Sequence, residues 1–308
     1  MKGLFINQLK SNCSIYESGV MVYNALKSRD YELDYLELHT AKMNSHPYTG
    51  YDFYVFNWHH NTLPIATSTI SRIVGLKIGI LLEVGPEELR PYMKDDIFDA
   101  YMVIDPTKKK NGKYYPFPRP LEKVDGLLPL LSEEVPVFGT FGFLVPGKRF
   151  AEVLQVANSL NRDVIVRVNI PEATFTGMTY NLDAAREFGR RLHEFKGKKI
   201  DLRVTHNYMS KPDLIRWCSQ NSLNVFPYYR DLPGLSAVTD QAIVSGRGMA
   251  ITNCNTFRHI LPYIPYYPKQ GYLDLTTTTL PGIRRMQRDW SNENFVLLFN
   301  ELLKENLK

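Results

Sequence analysis

Residues 224–260 read as a buried strand, a short loop, a helix, a tight turn and a second strand, and this order constrains the fold more than any other stretch. Apolar residues recur at helical spacing from Leu235 to Ser245, and Gly246 follows where a helix would end. Two consecutive strands joined by a helix run parallel. We therefore expect the helix to begin at the carboxyl edge of a parallel sheet, where ligands bind in open α/β folds.

The start of this helix has the features of an anion site. Residues 228–234 are rich in Pro, Gly and charge, and Ser236 adds a hydroxyl donor. The first amides of a helix have no partner within it, and the helix dipole favours a negative charge there. The sequence thus predicts a phosphate-binding corner at Gly234, Leu235 and Ser236. Taken alone, the segment fits an ordinary strand-to-helix turn equally well.

Short apolar runs alternate with helix-period segments along the chain, which is typical of parallel sheets with helices on both faces, an α/β class. In the first half we predict strands at 3–7, 31–36, 53–57, 77–82 and 100–104, and helices at 18–28 and 64–74. In the second half we predict strands at 137–143, 164–168, 200–205, 224–227 and 249–252, and helices at 148–159, 182–195, 212–220, 235–245 and 291–304. Residues 105–136 show no sustained period and are predicted to be a linker.

The length of 308 residues suits two domains of about 130–170 residues, each with its own core. We predict domains over residues 1–133 and 134–285, followed by a terminal segment at 286–308. Hydrophobic residues make up 44 % of the chain and charged residues 22 %, as in soluble globular proteins. We expect a cytoplasmic protein because no segment approaches the roughly 18 consecutive apolar residues of a membrane span.

The cysteines and the net charge limit the kinds of covalent link, metal site and binding partner that we expect. Cys13, Cys218 and Cys254 are widely spaced and odd in number, so we expect free thiols, with neither a disulfide framework nor a metal site. The net charge of +5 is modest. Its strongest local run, residues 108–113, reads as a solvated loop tip, and contact with a membrane surface or a nucleic acid is the alternative. We expect no nucleic-acid partner and leave peripheral membrane contact open.

Three blocks in the second half resemble the two-domain GT-B glycosyltransferases. Residues 137–150 (VFGTFGFLVPGKRF) resemble the opening strand, Gly-rich loop and basic helix start of the donor domain. Residues 223–229 resemble the strand that ends in Pro-Tyr before the donor loop, and residues 234–260 resemble the helix whose acidic residue binds the sugar nucleotide. The resemblance implies two Rossmann-like, doubly wound domains facing a cleft. It also implies a final helix that crosses back to the first, acceptor-side domain.

The resemblance assigns donor-binding roles to residues of the second half. Lys148 and Arg149, after the loop that contains Gly142, are expected to bind the diphosphate of a nucleotide sugar. The family usually has an Arg earlier in this block, whereas this chain has Thr140 or Phe141 there. The remaining expected donor contacts are His206 and Asn207 near the nucleoside, Tyr228, and the Gly234, Leu235 and Ser236 corner.

Asp240 lies where the resemblance places the second acid of the family's paired glutamates. Its expected role is to bind sugar or ribose hydroxyls, although a solvated helix carboxylate fits the pattern equally well. The first acid of the pair would lie at Leu232, so the pair is incomplete in this chain.

In the first half, polar residues follow predicted strands. His59 and His60 follow one strand and Glu83 follows another, so they are expected at one sheet edge as candidate catalytic groups. The first strand is followed by a loop that lacks the GxGxxG fingerprint, which disfavours a dinucleotide-binding dehydrogenase. Ser18 and Gly19, at the first helix, are expected on the acceptor side.

The predicted function is that of a glycosyltransferase that moves a sugar from a nucleotide-diphosphate donor to an acceptor hydroxyl, without a cofactor or metal. The chain has no HExxH, GxSxG, P-loop or clustered Cys/His ligands. The resemblance is closer to members that retain the anomeric configuration, and a glycan, a lipid-linked molecule or a protein is the expected acceptor. The alternative is a non-catalytic protein of this fold that binds a nucleotide sugar or a glycan.

Overall fold

The computed structural model describes residues 1–9, 13–27, 31–39, 42–59, 63, 65–82, 97–172, 181–230 and 234–307. The chain divides into two compact units. The first unit comprises Met1–Pro120, Pro233–Leu235 and Trp290–Lys308, and the second comprises Leu121–Leu232 and Ser236–Asp289.

The first unit is built on a parallel sheet. In chain order its strands are β1 (Lys2–Gln8), β2 (Glu32–Leu38), β3 (Phe53–Phe56), β4 (Leu76–Leu81), β5 (Ala100–Val103) and β6 (Tyr114–Pro116). They are ordered β2-β1-β3-β4-β5-β6 across the sheet, and each neighbouring pair is parallel. Strands β3 and β5 are buried along their whole length because helices and loops cover both faces.

Two apolar cores pack against this sheet. On one side lie α1 (Ser14–Leu26) and α9 (Asn292–Asn306), which pack against each other and bury Phe295 and Phe299. The other core surrounds Tyr54 and Phe56 and includes Ile70 of α2 (Thr67–Ile70). The final helix is capped by Ser291, whose side chain accepts the amide of Asn294.

The second unit holds another parallel sheet. Its strands are β7 (Val137–Phe141), β8 (Val164–Asn169), β9 (Ile200–Thr205), β10 (Leu223–Phe226) and β11 (Gly248–Ile251), ordered β11-β10-β7-β8-β9. The chain first builds outward from β7 to β8 and β9, and then returns to add β10 on the other side of β7. The strand order therefore reverses between β7 and β10, and ligands of such sheets bind beside the carboxyl ends at this point.

Six helices belong to the second unit in the described part of the chain. They are α3 (Phe150–Ser159), α4 (Leu182–Leu192), α5 (Lys211–Ser219), α6 (Val238–Ser245), α7 (Tyr272–Thr278) and α8 (Leu280–Asp289). Phe150, Val153 and Leu154 of α3 pack with the valines of β8 in one core. Within the described ranges, no helix combines the length and apolar character needed to cross a membrane.

The prediction of an α/β fold with parallel sheets is confirmed, but three local predictions were wrong. The helix expected at 64–74 is only the single turn of α2. The predicted linker contains β6, a three-residue edge strand ending in Pro116, which is tolerated because an edge strand needs fewer ladder donors. Helices α7 and α8 were missed: α7 contains a run of threonines with low helix propensity, and α8 has Pro281 in its first turn, where proline is permitted.

Candidate functional site

A glycine-rich loop joins β7 to α3. Gly142 begins it with a φ of +134°, and its amide donates to the Asn169 carbonyl at 3.0 Å. Gly147 has a φ of +83°, and its carbonyl accepts the amide of Tyr229 at 2.8 Å. A Cβ atom at Gly147 would lie 2.6 Å from the Tyr229 carbonyl oxygen. Glycine therefore lets the loop lie directly against the end of β8 and the segment that follows β10.

Lys148 lies at the end of this loop and is buried, with 7 % of its surface exposed. Its Nζ atom donates to the Tyr228 hydroxyl at 2.7 Å and lies 4.2 Å from the centre of the Tyr228 ring. Among the described residues, that hydroxyl is the amine's single hydrogen-bond partner. Burial, reinforced by the Arg230 guanidinium, lowers the pKa of Lys148 to about 7. A buried ammonium with unused N–H donors is costly until an anion pairs with it.

Arg149 is placed differently from Lys148. It adopts the left-handed conformation, with a φ of +51°, at the residue that precedes α3. Its guanidinium pairs with Glu152 at 2.6 Å and stacks 4.6 Å from the centre of the exposed Tyr229 ring. The charge of Arg149 is thus already balanced, whereas that of Arg230 acts on the Lys148 amine.

Arg247 lies at the opposite edge of the sheet from Lys148. It precedes β11, so it is at the amino end of the strands, whereas Lys148 follows the carboxyl end of β7. Its Nε atom donates to the Ser219 carbonyl at 2.7 Å. Arg247 therefore ties β11 to the end of α5.

A polar cluster lies at the carboxyl ends of β8 and β9. The Asn169 side chain donates to the Asn207 carbonyl at 3.1 Å and accepts from the Thr205 hydroxyl at 2.9 Å. His206 Nδ1 lies 2.9 Å from the Ile170 carbonyl oxygen. His206 and Asn207 thus lie at the carboxyl edge of this sheet. Asn169 links them to the glycine-rich loop, since its carbonyl accepts the Gly142 amide. Asn169 was not predicted, and its signal in the sequence is an amide residue at the end of an apolar strand.

Helix α6 begins three residues later than predicted, and part of its start is already hydrogen-bonded. The Ser236 amide donates to the Thr256 carbonyl at 3.1 Å, so it is not the unoccupied donor that the sequence suggested. The Thr239 hydroxyl donates to the Ser236 carbonyl at 2.9 Å and lies 3.3 Å from Nε2 of the buried His259. Gly246 ends the helix in the left-handed conformation, as predicted.

Asp240 is buried, with 1 % of its surface exposed, so it is not a solvated helix residue. Its amide donates to the Ala237 carbonyl at 3.2 Å in the first turn of α6. Gly234 and Leu235 are half-buried and are grouped with the first unit. Leu232 lies outside the described residues.

In the first unit, Gly19 lies against two buried asparagines. The Asn57 side chain, just after β3, donates to Asn7 Oδ1 at 2.7 Å, and a Cβ atom at Gly19 would lie 2.3 Å from Asn57 Nδ2. Arg119, with 3 % of its surface exposed, donates to the Ser18 hydroxyl at 3.3 Å. Gly19 therefore lets α1 pack against the carboxyl ends of β1 and β3, and Ser18 ties α1 to the segment that follows β6. Neither the asparagine pair nor Arg119 was predicted from the sequence.

Two tyrosines fix a carboxylate at the end of β2. The hydroxyls of Tyr16 and Tyr35 donate to Glu37 Oε1 at 2.8 Å and 3.1 Å. Burial and the Glu37 carboxylate raise the pKa of Tyr16 to about 12, so it remains a donor at neutral pH. Asn7 donates to the Tyr35 hydroxyl at 3.1 Å, which links this group to the asparagine pair.

His59 is buried just after β3, and its carbonyl accepts the amide of Leu63 at 2.9 Å. It lies two residues from Asn57, at the sheet edge where it was predicted. His60 and Glu83, the other two predicted catalytic residues, lie outside the described residues.

The lysine run at 108–113 is partly neutralised within its own unit. Lys110 contacts both carboxylate oxygens of Glu305 at 2.5 Å and lies 4.7 Å from the centre of the Tyr115 ring. The run therefore packs against α9.

Comparison with known proteins identifies structural relatives at low sequence identity. No family model matches the chain, and no curated protein matches its sequence. HepE of Anabaena, solved in complex with UDP-glucose, is similar with a TM-score of 0.69 and 10 % identity, covering 99 % of this chain and 100 % of that one. Sucrose-phosphate synthase of Thermosynechococcus elongatus is similar with a TM-score of 0.69 and 10 % identity, covering 99 % and 98 %.

A third relative is a trehalose-6-phosphate synthase. Bisubstrate glycomimetics of this enzyme were used to study the mechanism of glycosyl transfer with retention. This relative has a TM-score of 0.67 and 9 % identity, covering 99 % of each chain. These similarities cover both units, and they show that the chain has the two-domain GT-B fold, as predicted.

Proposed function

We propose that this protein is a glycosyltransferase that binds a nucleotide-diphosphate sugar on its second unit and transfers the sugar to an acceptor hydroxyl. One observation carries the proposal: the buried Lys148 amine has a single described hydrogen-bond partner at the carboxyl end of β7. This is beside the point where the strand order reverses. The bound UDP-glucose of HepE, a protein of the same fold, supports a nucleotide sugar as the ligand.

A diphosphate would supply the acceptor oxygens and the negative charge that would balance the buried Lys148 amine. Its oxygens would accept the remaining N–H donors of Lys148, and its negative charge would offset both the burial of the amine and the nearby Arg230. The Arg230 guanidinium is a second cation that could share the charge. Arg149, paired with Glu152, would contribute less.

In the proposed reaction, the bond between the anomeric carbon and the diphosphate oxygen breaks, a bond to the acceptor oxygen forms, and the proton of the acceptor hydroxyl passes to an oxygen of the departing diphosphate. Negative charge grows on the departing diphosphate as the first bond lengthens. A protonated Lys148 would stabilise that charge from a position fixed before the reaction, which is the most effective arrangement for electrostatic catalysis. His206, Asn207 and Asp240 would contact the nucleoside and the sugar.

We further propose that transfer retains the anomeric configuration and needs no metal. Retention is supported by the trehalose-6-phosphate synthase, a protein of the same fold studied for glycosyl transfer with retention. A retaining reaction requires no strong base, which leaves His59 a supporting role. Lysine and arginine side chains would supply the positive charge that a metal provides elsewhere.

The direct test is release of a nucleoside diphosphate from a panel of UDP, GDP, ADP and dTDP sugars, with and without EDTA. We expect slow hydrolysis of one donor class, unaffected by EDTA, and a rise in melting temperature with the same donor. Lys148→Met should abolish the hydrolysis and greatly reduce the rise in melting temperature. Lys199→Met is the matched control, since this exposed lysine of the same unit donates to Asn161.

Two outcomes would contradict the proposal in different ways. Donor-induced stabilisation without turnover, even with sugar acceptors present, would identify a binding protein of this fold. Hydrolysis that Lys148→Met leaves intact would show that the donor diphosphate binds elsewhere.

A further inference from the structure

We propose that Tyr228 acts on the donor only through Lys148, as a positioning residue that holds the amine in place, and does not itself contact the ligand. This inference rests on the proposed function, because it concerns the same diphosphate site. It changes the role of Tyr228, which the sequence placed among the donor contacts.

The Tyr228 ring has no free face for a ligand. Its side chain is fully buried. The Lys148 amine lies over the ring at 4.2 Å, and the rings of Phe257 and Phe226 pack against it with centroid distances of 5.3 Å and 5.9 Å. A ligand could reach Tyr228 only after Lys148 had moved away.

The Tyr228 hydroxyl both donates and accepts a hydrogen bond, and these two bonds fix its orientation. It donates to the Phe141 carbonyl at 3.3 Å and accepts from Lys148 Nζ at 2.7 Å. Because the hydroxyl's hydrogen points to this carbonyl, an oxygen lone pair faces the amine. One N–H of Lys148 is thereby fixed, and the direction of the other two follows from the tetrahedral geometry of the nitrogen.

The backbone around Tyr228 is held in the same way. Its carbonyl accepts the Thr252 hydroxyl, and the next residue, Tyr229, donates its amide to Gly147. Lys148 directly follows Gly147, so the backbone segments that carry Lys148 and Tyr228 are hydrogen-bonded to each other. A lysine side chain is long and flexible, and this arrangement removes the entropy cost of ordering it when the ligand binds.

Ionisable groups around the amine are few in the described part of the chain. Arg230 lowers the pKa of Lys148, and Cys254 and Arg230 act on Tyr228, whose pKa burial raises above its usual range. Tyr228 therefore stays a neutral phenol across the working pH range. Its oxygen favours the charged amine by accepting its hydrogen bond, so loss of this oxygen should favour the neutral amine.

The test is a double-mutant cycle of Tyr228→Phe and Lys148→Met, with UDP-glucose binding measured by calorimetry. Tyr228→Phe keeps the ring and removes only the oxygen. We expect it to weaken binding by about tenfold, as for a hydrogen bond to a charged group. In the Lys148→Met background the same change should alter affinity less than about twofold, because Tyr228 affects binding only through the Lys148 amine.

A second readout separates positioning from a general loss of structure. In Tyr228→Phe, the midpoint of the pH dependence of UDP-glucose affinity should move to lower pH. Tyr48→Phe is the matched control: Tyr48 is buried, its hydroxyl donates to the Met43 carbonyl at 2.8 Å, and it belongs to the first unit. This control should leave both affinity and midpoint unchanged.

The results distinguish the inference from the proposed function. If Tyr228→Phe weakens binding equally with and without Lys148, or does not weaken it while Lys148→Met does, the positioning role is wrong and the donor site stands. If Lys148→Met leaves UDP-glucose affinity intact, the donor site is wrong and the inference fails with it.

Discussion

A Cβ atom at Gly142 would lie 2.7 Å from the Nζ atom of Lys148. Gly142 also has a φ of +134°, which side chains rarely allow. Gly142→Ala should therefore push the amine off the Tyr228 hydroxyl, and we expect UDP-glucose affinity to fall by at least about tenfold, as for loss of one charged hydrogen bond.

Calorimetry on Gly142→Ala and Gly126→Ala checks this expectation. Gly126 belongs to the same unit and also has a positive φ, of +69°, but a Cβ atom there would have no neighbour within 4 Å. Both variants carry backbone strain, and only the first crowds the amine. Equal losses of affinity would show that strain, and not the position of Lys148, weakens binding.

Lys148→Met should stabilise the ligand-free protein at neutral pH. Because the folded-state pKa of Lys148 is lowered to about 7 from 10.5, the unfolded chain binds more protons between these values, and wild-type stability falls as the pH decreases through this window. Methionine removes this penalty, and replacing a buried charge with an apolar group of similar length gains up to about 4 kcal/mol.

Urea unfolding of both proteins at pH 7 and pH 10 measures that effect. We expect the advantage of Lys148→Met to be larger at pH 7 than at pH 10. A variant that is less stable than wild type at pH 7 would mean that the amine is well paired in the ligand-free protein.

Gly19→Ala should destabilise the first unit. The added Cβ atom would lie 2.3 Å from Asn57 Nδ2 and 2.8 Å from Asn7 Nδ2, so the asparagine pair would have to separate or α1 would have to move. Overpacking of this kind costs about 1–3 kcal/mol. Gly271→Ala is the control, since a Cβ atom there meets only Asp274, at 3.7 Å. Similar melting temperatures for the two variants would contradict the close packing of α1 on β1 and β3.

Ser291→Ala should weaken the attachment of the final helix. The Ser291 hydroxyl accepts the Asn294 amide at 3.3 Å, and loss of such a cap costs about 0.5–2 kcal/mol. Ser71→Ala, which removes an exposed hydroxyl bonded to the Ser68 carbonyl, is the control. Chemical denaturation should show a loss for the first variant only. An unchanged midpoint for Ser291→Ala would mean that this cap contributes nothing to the first unit.

The sequence predicted the strands well because buried strands of parallel sheets are continuous apolar runs. Strand β9, for example, was located to the residue. Short elements were missed where local propensity is weak, as for β6 at the sheet edge and for α7 with its threonines.

The site could be predicted only in part. Lys148 was found because a cation after a glycine-rich loop is a local pattern. Its partnership with Tyr228 joins residues 80 positions apart, and the Asn7 and Asn57 pair joins residues 50 apart, so neither is visible without the fold. The burial of Asp240 was missed because an acid in the first helical turn is usually solvated.

The affinity for UDP-glucose as a function of pH tests the central claim most directly, because the diphosphate of this ligand does not titrate near neutrality. We expect constant affinity below pH 7 and a fall of about tenfold per pH unit above it, since binding must then protonate Lys148. Lys148→Met should bind weakly with no such dependence. A wild-type affinity that stays constant from about pH 6 to about pH 9, a range that brackets the lowered pKa of Lys148, would contradict the claim that Lys148 binds the donor diphosphate.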